Sequence, residues 1–368
     1  KHGMDPTHII VMAYDDIADN YENPIPGKIF NHPDGEDVYG GCHLDYTGDA
    51  VTPDNFVAIL TGDAAAAGGK GLESDEKSNV FIYFSDHGAE GLIAFPYGEL
   101  YADEYHDAMI KMHDKKLYNK CVFYLEACES GSMFNEFPEA ETMNLYQLSA
   151  SSPYESSWAC YCGGEAVVGG IDIGSCLGDE FSCRWMENSD AVDFETTTIG
   201  TQAETVISQT EGSTPAEWGW MGARDEFLKE YQGDYDQYVR KLRKFLAEEK
   251  HEHKNKVKAS NAVLAWLKYK AQKSNKDKDW AKFHHELKMY RRSERIFKQF
   301  REHLKVPAKK VGKVDYNCYR RLMYVYKHEC GYNVDRDHSF LYSFYNYCSM
   351  NKGLEPAYMT IKHLCHKK

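Results

Sequence analysis

An α/β fold, with a mostly parallel sheet flanked by helices and an all-helical C-terminal segment, is what this sequence predicts from three observations. Two apolar runs, Val80-Phe81-Ile82-Tyr83-Phe84 and Cys121-Val122-Phe123-Tyr124-Leu125, are short, continuous and rich in β-branched and aromatic residues, as strands covered on both faces are. Between them, residues 101–117 place Tyr105, Ala108, Met109 and Met112 near helical spacing. After residues 211–215 the strand-like runs give way to long, charged amphipathic patterns.

Taken in order, residues 8–14 read as a first strand and 54–60 as a helix opening behind Pro53. The strand, helix, strand unit of 80–125 follows, then a strand over 145–150 and helices over 179–188 and 198–209. Such alternation argues for a mostly parallel sheet. Further on, 235–250 reads as an amphipathic helix and 251–260 as polar enough to be a mobile linker. Helices are expected over 266–271 and 280–304, and 307–312 breaks them from a last, cysteine-containing bundle. The domains expected are 1–215, 216–312 and 313–368.

Each apolar run ends in chemistry: Ser85-Asp86-His87-Gly88 after the first, Glu126-Ala127-Cys128-Glu129-Ser130-Gly131 after the second. A single right-handed crossover would bring both strand ends to one edge of the sheet, where ligand sites of open α/β sheets form. There a thiolate can act as nucleophile and an imidazole can protonate a leaving amine. Gly88 permits close backbone approach, and its N–H with that of Cys128 can face a developing oxyanion. Read singly, Cys128 is a packed core thiol, His87 a turn histidine, Glu126 a charge at a strand end and Asp179 a helix N-cap before Glu180-Phe181. The paired strand-end context favours catalysis.

Ser85-Asp86-His87-Gly88 and Glu126-Ala127-Cys128-Glu129-Ser130-Gly131-Ser132 resemble the signatures of legumains, asparaginyl endopeptidases of caspase-like fold. Met12-Ala13-Tyr14-Asp15-Asp16-Ile17-Ala18, Asn23-Pro24-Ile25-Pro26-Gly27, Asp45-Tyr46-Thr47-Gly48, Val51-Thr52-Pro53, Glu155-Ser156-Ser157, Leu177-Gly178-Asp179 and Trp185-Met186-Glu187 extend the match. The resemblance implies Cys128 as nucleophile, His87 as catalytic histidine and Gly88 as oxyanion donor. It implies Glu126, Ser156, Ser157 and Asp179 as substrate-pocket residues for asparagine, since a carboxamide NH₂ donates to carboxylates. Asp86 resembles a position tied to peptide ligation. The resemblance further implies an inhibitory C-terminal prodomain, self-cleavage at Asn275, Asn255 or Asn261, and disulfides Cys318–Cys348 and Cys330–Cys365. In that family a further strand and helix, with a pocket arginine, precede the match, so the sequence is expected to be an N-terminally incomplete version of a longer protein.

Charge is distributed unevenly. Residues 1–232 hold 11 Lys and Arg against 42 Asp and Glu, whereas 233–368 hold 32 against 15. A basic tail folded over its own acidic domain explains this better than nucleic acid, for which no recognition module is present. No apolar run reaches membrane-spanning length, and neither a metal nor an organic cofactor is indicated. Cys162 and Cys176 flank a glycine-rich excursion that a disulfide would close; the C-terminal cysteines lack the close pairs of a zinc site. This usage suggests an oxidising compartment, and the resemblance a lysosomal, vacuolar or secreted one. Cys42, Cys121, Cys160 and Cys183 default to buried packing.

The reading is a cysteine endopeptidase zymogen acting on peptides after Asn, or after Asp at acidic pH, with ligation as a second outcome. Its rivals are a caspase-fold transamidase and a non-catalytic binding or decoy protein; a nucleic-acid-binding C-terminal half is a more distant one.

Overall fold

The computed structural model describes residues 3–33, 35–233 and 253–366, so the helix expected over 235–250 lies outside the described residues. Thr52 accepts from the Asn55 N–H and Pro53 fills the first turn, which starts α1 (Pro53–Leu60). Then come β1 (Asn79–Ser85), a three-stranded meander of β2 (Gly88–Ala89), β3 (Leu92–Ala94) and β4 (Glu99–Tyr101), α2 (Ala102–Asp114), β5 (Lys120–Glu126) and β6 (Leu145–Ser149). β7 (Trp158–Cys160), β8 (Gly178–Asp179), α3 (Glu180–Ala191), α4 (Ile199–Gln209) and β9 (Ala216–Gly219) complete the N-terminal part.

The main sheet has the order β1-β5-β6-β9, with the first three strands parallel and β9 antiparallel to β6. β5 is buried on both faces because its side chains alternate between two cores. Cys121, Phe123 and Leu125 face a cluster with Tyr105, Met109 and Met112 of α2, while Val122 and Tyr124 face Phe181, Ile199 and Val206 of α3 and α4. That double cover is why the strand reads as a continuous apolar run.

The structure corrects several expectations. Residues 8–14 make one parallel bridge, Met12 to Tyr46, instead of a strand. Residues 216–219, expected in the helical connector, form the fourth strand, and Leu228 and Tyr231 pack into the α3/α4 core. The described part of 251–260 is held in place: His253 is buried, and Val257–Lys258 forms β10, antiparallel to β7. Cys42 is exposed, not packed.

Beyond β10 lie α5 (Ala262–Ser274), α6 (Asp277–Leu304), α7 (Tyr316–Cys330), α8 (Val334–Asp337), α9 (Tyr342–Cys348) and α10 (Leu354–His366). Disulfides Cys318–Cys348 and Cys330–Cys365 tie α7 to α9 and α10, and Cys162–Cys176 closes the glycine-rich excursion. The helical core, built on Phe297, Phe300, Tyr319 and Phe344, also takes in Ala89, Leu92 and Tyr101 from the meander. Basic side chains of this half meet acids of the other: Arg320 with Asp103 and Glu104, Lys327 with Glu99, Lys310 with Glu136, Lys270 with Glu22. The charge partition is thus realised as an intramolecular interface.

Candidate active site

Parallel register sets the site. Ser85 stands opposite Glu126 as β1 and β5 end, and the Asp86 N–H donates to the Glu126 carbonyl at 3.2 Å. The residues immediately beyond, His87 and Cys128, therefore leave the sheet at one edge. Both line a single cavity of about 210 Å³ with Asp86, Glu126, Ser157 and Asp179. Ala159 on β7 forms one wall, and Ala259 and Ala262, at the two ends of the turn before α5, close it.

Cys128 is 1% exposed, and its Sγ lies 3.7 Å from the Ser157 Oγ. Burial, with the nearby Glu129 charge, pushes its thiol up to about 12, so in this state it is neutral. At Gly88 a Cβ would collide with the Cys128 carbonyl oxygen and lie 3.0 Å from the Ala127 Cβ. Only glycine lets the two strand ends approach this closely.

His87 Nε2 pairs with Asp335 Oδ1 of α8 at 3.0 Å, and its ring lies 4.9 Å from that of His338. Burial opposes protonation of His87, but the Asp335 hydrogen bond and the Asp86 charge outweigh it, and its pKa is raised. Asp335 is correspondingly lowered, mainly by that bond. His338, fully enclosed, is pushed down to about 4 by burial. Asp335 and His338 thus put a charged acceptor and a neutral ring on the imidazole.

The cavity's acids differ in their partners. Glu126 Oε2 accepts from the Ser182 N–H at 2.9 Å and Oγ at 2.8 Å, whereas its buried Oε1 has no hydrogen-bond partner among the described residues. Burial first, then the Asp179 charge, raises Glu126 well above the carboxylate range. Asp179 occupies the N-cap position of α3 but makes no side-chain cap bond; instead it lines the cavity, and burial pushes it up to about 6. The N-cap role that its residue type suggests is therefore not the one its side chain takes.

Ser156 has its Oγ 3.1 Å from the Ser260 Oγ, and its hydroxyl also acts on the Cys128 thiol, in the direction that lowers its pKa. Of the three asparagines singled out, Asn261 sits between the lining residues Ala259 and Ala262. Asn255 is exposed, its N–H donating to Glu165, and Asn275 is the exposed, left-handed C-cap of α5. Ser182, Ala259, Ala262, Asp335 and His338 were not singled out from sequence. They come from segments 50 to 250 residues distant or carry no reactive group, so no local pattern marks them.

β10 runs along β7 with Val257 opposite Ala159 and Lys258 opposite Trp158, and the Ala259 N–H donates to the Ser157 carbonyl at 3.0 Å. An extended peptide added to this edge would be led toward Cys128.

A thiol and an imidazole over one partly open, carboxylate-lined cavity at the carboxyl edge of a parallel sheet form the arrangement of a cysteine peptidase. The chain belongs to the Peptidase C13 family, whose model matches residues 1–234. It is 44% identical to mouse legumain over 237 residues, 63% of this chain and 52% of that protein. It is 34% identical over 394 aligned positions to the vacuolar-processing enzyme delta-isozyme of Arabidopsis thaliana, covering 99% of this chain and 84% of that one. Against the vacuolar-processing enzyme of Citrus sinensis the identity is 43% over 242 residues, 63% of this chain and 49% of that one. The chain thus spans about half the length of most of the curated relatives it matches. Among the described residues no helix is long and apolar enough to cross a membrane.

Proposed function

We propose that this chain is the zymogen of a cysteine endopeptidase that cleaves after Asn, and after Asp at acidic pH, using Cys128 and His87. The observation that carries this is the buried Glu126 carboxyl, whose Oε1 makes no close hydrogen bond and has only the Ser157 hydroxyl near it, in the cavity shared with the thiol and the imidazole. A side-chain carboxamide entering the cavity completes it: its carbonyl accepts from the O–H of the neutral acid, or its NH₂ donates to Oε1 once Glu126 ionises, and a protonated Asp carboxyl offers the same two groups at low pH.

In the state described, Asp335 engages His87, and residues 259–262 close the cavity; both belong to the C-terminal half, which acts as an intramolecular inhibitor. Once they withdraw, a substrate takes the place of β10 along β7. Cys128 passes its proton to His87 and its sulfur attacks the scissile carbonyl carbon, with the Gly88 and Cys128 N–H groups toward the oxyanion. His87 then protonates the amine as the C–N bond breaks. Water hydrolyses the thioester, or a peptide amine does so and gives a ligated product. Asn261, flanked by cavity residues, is the self-cleavage site this geometry favours over Asn275 and Asn255. The chain's disulfides and its relatives' names fit residence in a lysosome or vacuole.

The test is mass spectrometry of peptides carrying Asn, Asp, Arg or Lys before the scissile bond, incubated at pH 5 with the chain and with Cys128→Ala. Cleavage confined to Asn or Asp and lost in the variant is expected. Cleavage at Arg or Lys, or cleavage that survives in the variant, overturns the reading.

A further inference from the structure

Two cysteines that the peptidase chemistry does not use meet behind the cavity. Cys160 closes β7 and Cys183 lies in the first turn of α3; their sulfurs stand 3.0 Å apart, and the residues are 0% and 7% exposed. That is on the order of 1 Å beyond a sulfur–sulfur bond. Gly178 makes the room for them. It pairs with Cys160 in the β7–β8 ladder, and a Cβ there would lie 2.5 Å from the Cys183 sulfur and 3.7 Å from that of Cys160. Leu177 and Tyr161 enclose the pair in a small apolar cluster. The space a side chain at Gly178 would need is taken by the Cys183 sulfur, which lies against that of Cys160.

Neighbouring cysteines are already joined in pairs. Cys162, two residues from Cys160, is bonded to Cys176 in the same excursion, and two more disulfides tie the C-terminal helices.

We infer that Cys160 and Cys183 form a fourth disulfide, a covalent tie across the back of the substrate cavity. Its oxidant is a disulfide donor, of the class that makes the other three. Two thiols and one donor disulfide give one new sulfur–sulfur bond and two donor thiols, with both protons passing to the donor. Exchange takes place as the chain folds, before β7 seats on α3, because the packed sulfurs are closed to solvent. Contact with Cys183 and burial raise the Cys160 thiol; contact with Cys160 lowers the Cys183 thiol, but burial and nearby carboxylates outweigh it and leave it raised, so neither ionises readily to exchange once in place.

The bond joins two walls with different tasks. Ala159, beside Cys160, lines the cavity and pairs with Val257. Ser182, beside Cys183, holds Glu126 through its N–H and hydroxyl. Linking them fixes the spacing between the strand that receives a peptide backbone and the carboxyl that faces its side chain. Cys160 and Cys183 are positioning residues in this account. The bond itself does not depend on the peptidase reading.

The experiment is thiol blocking of the denatured, unreduced chain with iodoacetamide, then Glu-C digestion and mass spectrometry. Cleavage after Glu155, Glu165, Glu180 and Glu187 puts Cys176 and Cys183 on separate fragments, and a further chymotryptic cut after Tyr161 separates Cys160 from Cys162. The expected result is a joined cluster of fragments 156–165, 166–180 and 181–187, with only Cys42, Cys121 and Cys128 blocked. In Cys183→Val, which keeps an apolar side chain, fragment 181–187 should leave the cluster and Cys160 become blocked. Amide exchange at 158–160 and 180–184 should also rise about tenfold or more. Recovery of fragment 181–187 alone and blocked from the native chain, or joined to any cysteine but Cys160, overturns the inference.

Discussion

His87 Nε2 and Asp335 Oδ1 stand 3.0 Å apart across 248 positions of chain, and that pair fastens the C-terminal helices onto the imidazole. The Asp335 side chain keeps 44% of its surface exposed, so solvent screens the attraction. It is worth no more than about 1 kcal/mol. Asp335→Asn should accordingly raise the basal peptidase activity of the uncleaved chain by roughly fivefold or less. The His87 pKa should also fall, as read by NMR of ring-labelled histidine. An unchanged His87 titration would count against the pairing.

The same pair sets a pH window. Asp335 is lowered, so its contribution is present above 3.8, its ordinary value, and is lost as pH falls through the depressed one. His87 is raised, so its contribution is complete below 6.5 and is lost as pH rises through the elevated one. The difference in melting temperature between the chain and Asp335→Asn should be widest between about pH 4 and 6.5 and narrow toward pH 8. Release on acidification must then come from the other carboxylates of the interface, because this contact persists until Asp335 protonates. A pH-independent difference would contradict both shifts.

Glu126→Gln probes the buried pocket carboxyl. A glutamine can keep an oxygen toward Ser182, but it then points an NH₂ at the position where a substrate carboxamide would donate. Unpaired donors in a buried site lower kcat/KM for the matching substrate by about 10⁴-fold in strong cases, and a loss of at least 100-fold is expected for Asn peptides. The melting temperature should hold or rise, since a buried acid next to Asp179 is removed. Equal kcat/KM for both proteins would remove Glu126 from the pocket.

Asp179→Asn tests the electrostatic cost of that pocket. The folded-state value of about 6 lies above the ordinary 3.8. The ionised carboxylate therefore opposes folding, in full above about pH 6 and not at all below about pH 3.8. The variant should gain on the order of 1–3 kcal/mol of stability at pH 7, with the gain disappearing near pH 4. Denaturant melts at the two pH values check this; a loss at pH 7 would show that the carboxylate is better satisfied than its burial suggests.

The sequence by itself determined the parallel core, because strands buried on both faces have no choice but continuous apolar side chains, as 121–125 does. It also placed His87 and Cys128 at one sheet edge, since a single right-handed crossover allows no other arrangement. The cysteine pairing of the C-terminal helices and the pocket roles expected of Glu126 and Asp179 came from resemblance, for neither spacing nor residue type distinguishes a pocket carboxylate from a helix cap. Tertiary structure alone decided the rest. β9 is an edge strand of only four residues, too short to outweigh its surroundings in a periodicity reading. Residues 253–260 look like polar linker, yet they are ordered by β7, whose exposed edge supplies the hydrogen-bond partners the segment lacks by itself. Asp335 reaches His87, and Cys160 reaches Cys183, through packing between segments that no local pattern links. Physical proximity across the fold, which periodicity and composition do not encode, determines how the site is covered and what braces its walls.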